Sequence, residues 1–180
     1  MLRKRTVWVL SLTLFIQMYT HDAVAQKNSF NLASISIKAE HLFSNLLTKD
    51  HFRLSLSGRS VIDGKVRLSI STHDYRQIFT DSFPATDLLW DNAEADIGIN
   101  QKEAIIRKRM EDFFSDNSFI HPAIKIAIPF WPDNSDKATW LDIKSNKEAI
   151  GFVYHHGYEG TYAIAYSKKK KKALLYYASD

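Results

Sequence analysis

Adjacent His155 and His156 are the side chains of this sequence best suited to proton transfer or metal ligation. Neighbours on a strand point to opposite faces, so the two imidazoles cannot share one metal from a strand. His156 falls on the same face as Tyr154. Other ligands would have to come from His121, His51 or Asp63, and none of these shows the spacing of a zinc motif. His73-Asp74 places a carboxylate beside an imidazole, as hydrolytic triads do in space, but adjacent residues rarely reach that geometry. Ser57-Gly58-Arg59-Ser60 matches no nucleophile motif and reads as a turn. Asp87, Asp91, Glu94 and Asp96 form an acidic group that fits neither a calcium loop nor a defined carboxylate pair.

Two further groups suit binding rather than catalysis. Tyr154, Tyr158, Tyr162, Tyr166, Tyr176 and Tyr177 fall in one C-terminal stretch. With His156, the tyrosines at 154, 158, 162 and 166 are candidate ligand-binding residues, since a phenol offers both a stacking face and a hydroxyl. Such tyrosines also serve as cross-strand pairs at a core margin. Lys168, Lys169, Lys170, Lys171 and Lys172 form a run that could meet an anionic surface, each contributing about 1 kcal/mol there. The plainer role is a solvated hairpin turn that guards a sheet edge.

The elements that would position these residues follow from hydrophobic period. Apolar residues Ile35, Ala39, Leu42, Phe43, Leu46 and Leu47 recur at three and four, which predicts a helix over 36–48. Phe52, Leu54 and Leu56 then alternate with polar residues, as do Val66, Leu68 and Ile70. With 77–83, which ends at Pro84, they predict a three-stranded meander over about 51–83. A second helix is expected over 101–115, capped by Asn100 with Glu103 and buried through Ile106, Met110, Phe113 and Phe114. A third is expected over 136–145. Residues 119–132 hold three prolines and many apolar side chains, predicting an ordered, non-helical segment across the core. A second three-stranded meander is expected over 149–177. One of its faces carries Ala163 and Ala165, small enough for a helix to pack closely. The predicted fold is therefore α+β, a single domain with a mostly antiparallel sheet over residues 26–180.

The N-terminus has a different reading. Arg3, Lys4 and Arg5 precede an apolar run from Val7 to Tyr19, and Ala23-Val24-Ala25 offers a cleavage site before Gln26. This is the layout of a secretory signal peptide over 1–25, its run shorter than the roughly 20 residues a membrane span needs. Export to the periplasm or beyond is the expectation. The chain has no cysteine, so neither disulfides nor a lipid thioether are available. Its net charge of +4 is local. Outside residues 1–25 and the lysine run, 16 basic residues face 19 acidic ones, which argues against a nucleic-acid surface.

Leu56-Ser57-Gly58-Arg59-Ser60, Phe83-Pro84-Ala85, Ile106-x-x-Arg109 with Phe113-Phe114, and Phe119 before Pro122-Ala123-Ile124 form one set of motifs. Trp140-x-x-Ile143-Lys144, Ala149-Ile150-Gly151-Phe152 and Ile164-Ala165-Tyr166-Ser167 complete it. In these the chain resembles a group of small exported proteins of Bacteroidota with no known activity, over about residues 51–177. The resemblance implies export and a structural use of these motifs, and no site residues. The expected function is a non-catalytic binding or accessory protein of the bacterial envelope, without cofactor. Its partner would be an envelope polysaccharide, an anionic lipid or a periplasmic protein. The alternatives are a small periplasmic hydrolase or metal-dependent enzyme using His121, His155 or His156, and a secreted inhibitor.

Overall fold

The computed structural model describes residues 34–90, 96–125, 129–130, 136–158 and 160–179. The proposed signal segment lies outside these residues. Two four-stranded antiparallel sheets share one α+β domain. The first runs β1 (Ile35–Leu42), β2 (Lys49–Ser57), β3 (Lys65–Ser71), β4 (Gln77–Pro84), each paired with the next. The second runs β5 (Phe119–Ile120), β6 (Gly151–His155), β7 (Thr161–Ser167), β8 (Lys172–Ser179) in the same manner. Between them in sequence come a 3-10 turn (Ala85–Leu89) and helix α1 (Ile99–Asp112), while α2 (Lys137–Ser145) precedes β6.

The period-two runs form strands for the expected reason. Phe52, Leu54, Leu56, Val66, Leu68 and Ile70 are all buried, while their polar neighbours face outward. They pack with Phe152, Tyr154 and Ile164 of the second sheet and with Ile106, Met110, Phe113 and Phe114 at α1. Phe52 is the hub: its ring lies 5.4 Å from Phe152, 5.7 Å from Phe114 and 5.2 Å from Phe119, all in tilted or edge contacts. Such pairs add about 0.5–1.5 kcal/mol each beyond the area they bury. Between the turns of the β3–β4 and β7–β8 hairpins, Arg76 donates to the Lys171 carbonyl at 2.9 Å.

Each meander has one strand more than expected, and both extra strands are edges. The helix predicted over 36–48 is not formed; β1 occupies its first half. Ile35, Ile37, Ala39 and His41 alternate with exposed Ser36, Lys38, Glu40 and Leu42, and all eight residues pair with β2. Ile35, Ala39 and Leu42 satisfy a helical spacing too, but β-branched Ile35 and Ile37 and the available edge of β2 decide for a strand. Asp50 then receives the amide of Ser44 at 2.5 Å, and Asn45 bonds Thr48. The resulting turn leaves Leu46 and Leu47 exposed. The other extra strand, β5, comes from the proline-rich segment, with Phe119 opposite Phe152 and Ile120 opposite Gly151. Gly151 is required there, since a Cβ would lie 2.6 Å from the Tyr176 hydroxyl and 2.9 Å from Ile120.

α1 starts earlier than predicted. Gly98 is its N-cap, and Gln101 accepts the Gly98 amide at 3.3 Å, so Asn100 lies inside the helix. Phe113 and Phe114 follow its end, yet both are buried. α2 matches its expected span, with the Asp136 carboxylate accepting from the amides of Ala138 and Thr139. It packs Trp140 and Ile143 over Ala163 and Ala165, the small-residue face.

Candidate functional site

The strand alternation that separates His155 from His156 gives them different surroundings. His156 is turned inward at the end of β6. Its ring lies parallel between Phe83 and Tyr162, with centroids 4.2 Å away on each side and interplanar angles of 3° and 5°. Its Nε2 is 3.5 Å from a carboxylate oxygen of Asp81 on β4, and its Nδ1 is 3.5 Å from one of Asp87 on the 3-10 turn. Both nitrogens are buried, and neither contact is short enough to be a conventional hydrogen bond. They approach opposite sides of one ring. Tyr154 donates its hydroxyl to the same Asp81 oxygen at 2.9 Å. The contacts with His156 and Tyr154 hold the Asp81 carboxyl below the usual carboxylate range, although burial opposes the shift. Burial, with the Asp81 charge beside it, pushes the Tyr154 phenol well above its ordinary value.

His155 faces a cleft of about 390 Å³ whose lining includes Trp90, Arg109, Asp112, Asn117, Tyr154 and His155. Arg109 makes one wall. Its guanidinium sits 4.0 Å over the Trp90 ring and also donates to the Leu88 carbonyl. His155 lies 6.0 Å from Trp90 and holds Thr161 through Nδ1 at 3.0 Å. Burial lowers its pKa, favouring the neutral ring. Ser115, Asn117 and Ser118, in and beside the turn after α1, supply further polar groups. The cleft therefore combines aromatic faces with several short hydrogen-bonding side chains.

The proposed tyrosine platform is divided. Tyr154, His156 and Tyr162 form one stacked column continuous with Phe83. Tyr158 is exposed, and Tyr166 receives Arg76 at 3.3 Å near the opposite end of β7. Tyr176 is buried, donating to the Ala123 carbonyl at 2.8 Å. The five lysines are all exposed; the first four make the turn from β7 into β8, which Ser167 fixes by accepting the amides of Lys170 and Lys171, and Lys172 opens β8.

The remaining candidates lie apart from this group. His121 lines a separate cavity with Glu40, His41 and Asp116 beside β1 and β5. His51 bonds Glu40 at 3.3 Å and stacks on Tyr75. Asp63 closes its own turn with Ser60. Asp74 accepts from Thr72 rather than orienting His73. Asp96 is exposed, while Asp91 and Glu94 lie outside the described residues. Among the described residues, no three His, Asp or Glu side chains group as a metal site.

Asp81, Asp87, Trp90 and Arg109 were not legible as site residues. Asp81 reads as an ordinary polar position of a strand, and Asp87 as a solvated loop acid. Only the packing of β4 and the 3-10 turn against β6 brings them to His156. Compared with models of known families, with curated proteins and with solved structures, the chain shows no significant match.

Proposed function

We propose that this chain is a small exported, non-catalytic binding protein of the bacterial envelope, periplasmic or secreted after cleavage near Ala25–Gln26. The cleft beside Trp90 and Arg109 is its ligand site, and an envelope saccharide is the ligand class. The observation that carries this reading is the lining itself. Trp90 and His155 offer ring faces, while Asp112, Ser115, Asn117 and Ser118 offer short donors and acceptors. Pyranose rings need both, since their C–H faces stack on aromatics and their hydroxyls require dense hydrogen bonding. The leader-like segment favours an envelope setting. The placement of the histidines favours binding over hydrolysis. His156 is packed between two rings with its nitrogens directed at two half-buried carboxylates, and His121 belongs to a different cavity.

The test is a titration of the purified protein with neutral and acidic envelope oligosaccharides, followed by NMR of the Trp90 indole and His155 ring. Saccharide should shift both resonances. Asn117→Ala should weaken binding about tenfold, equivalent to about 1.4 kcal/mol. Shifts confined to the lysine turn, or unchanged affinity in the Asn117 variant, would overturn the assignment of this site.

A further inference from the structure

We propose that His156 is a protonation-dependent latch that sets the position of the Trp90–Arg109 wall of the cleft. It concerns regulation of the site proposed above, and rests on that reading for its biological use.

Two carboxylates flank one imidazole, each 3.5 Å from a different nitrogen. A neutral imidazole carries one N–H and can donate to only one of them. The imidazolium donates to both. It also neutralises one of two negative charges in a site where the histidine side chain is only 14% exposed. Protonation therefore strengthens both contacts, and deprotonation leaves Asp81 or Asp87 facing a ring nitrogen with no proton to offer. The titratable groups facing the ring are Asp81 from β4, Asp87 from the 3-10 turn, Tyr154 from β6 and Tyr162 from β7. α1 packs on the same 3-10 turn and brings Arg109 to Leu88 and Trp90.

Both carboxylates lead directly to the cleft. Asp81 holds the Tyr154 hydroxyl, and Tyr154 lines the cleft. Asp87 sits next to Leu88, whose carbonyl receives Arg109, and Arg109 lies on Trp90. The Asp87 carbonyl also accepts the Gly157 amide at 2.9 Å, so the 3-10 turn is tied to the end of β6 at two points. One of those ties depends on a proton. Histidine is the side chain whose charge ordinarily changes between about pH 5 and 8.

The experiment is an NMR pH titration of the ligand-free full chain, labelled with ¹⁵N at histidine and tryptophan. The His156 ring should pass from a form protonated on both nitrogens to a neutral one. The Trp90 indole should move with the same midpoint. Asp87→Asn should abolish that shared movement while His156 still titrates. His155→Gln should preserve it, which separates the latch from the other histidine near Trp90. A Trp90 signal that ignores His156 titration would overturn the latch. So would a His156 ring that stays neutral throughout, or a Trp90 response lost in the His155 variant. Because no ligand is present, an intact co-titration with no saccharide binding would remove only the cleft's proposed ligand.

Discussion

Tyr154 and Asp81 show how much one residue pair contributes to joining the two sheets. The Tyr154 hydroxyl donates to a carboxylate that is itself partly buried, so removing it leaves a charged acceptor short of a partner. Tyr154→Phe should cost about 1–3 kcal/mol in a denaturant titration, as expected for a hydrogen bond to a charged group. A cost near zero would mean that water replaces the hydroxyl freely. His156 poses the complementary case, since its ring is fixed by stacking as much as by charge. His156→Phe keeps a flat ring between Phe83 and Tyr162 but leaves Asp81 and Asp87 facing it without a counter-charge. None of this could be read locally, because Asp81 and His156 are joined only across the two meanders. What could be read was the alternation that sends His155 and His156 to opposite sides.

At the scale of the element, alternation was a reliable guide where one face of a strand is buried. β2 and β3 follow the burial that their sequences imply, while β4 breaks step at Ile78, where its pairing with β3 shifts register. β1 was missed because Ile35 and Ala39 fit two periods, and the deciding factor is the free edge of β2, a tertiary fact. Leu47 discriminates the two readings directly. It is 92% exposed in the turn after β1, whereas a helix over 36–48 would have turned it inward. Leu47→Asp should therefore change stability by no more than about 0.5 kcal/mol, measured by urea unfolding. The two-residue β5 was illegible for a different reason: it exists only because Gly151 lets Ile120 and Tyr176 approach β6 closely. Gly151→Ala should cost about 1–3 kcal/mol by overpacking. α2, by contrast, announced its own start. Asp136 caps it, and Asp136→Ala should remove about 1 kcal/mol, seen as a lower unfolding midpoint.

For the whole molecule, the sign of the acid response follows from Asp81. Its pKa is lower in the folded chain than in an unfolded one, so the unfolded state takes up protons first. The stability this contributes is complete above the ordinary carboxylate range and is lost as pH falls through the depressed folded value. Urea midpoints should therefore drop on acidification, and Asp81→Asn should flatten that slope. An equal slope in the variant would assign acid sensitivity elsewhere. Net charge was also informative at this scale. Once the lysine run is set aside, the chain outside residues 1–25 is slightly acidic, and the five lysines project from one hairpin end.

The neighbour-to-neighbour order of both sheets bears on how the chain reaches this state. In the first sheet every strand pairs with the one before or after it in sequence, through short connections. Closing such loops costs little entropy, so β1–β4 can zip as successive hairpins. The second sheet shares that order, but β5 and β6 are separated by the segment that contains α2. The first sheet is thus the natural early nucleus, and β5 is a late arrival. During synthesis, β1–β4 emerge complete before any strand of the second sheet. The face carrying Phe52, Leu54 and Leu68 can take the side chains of α1 first and is completed only when β6 and β7 dock, an interval in which part of it is open to intermolecular contact.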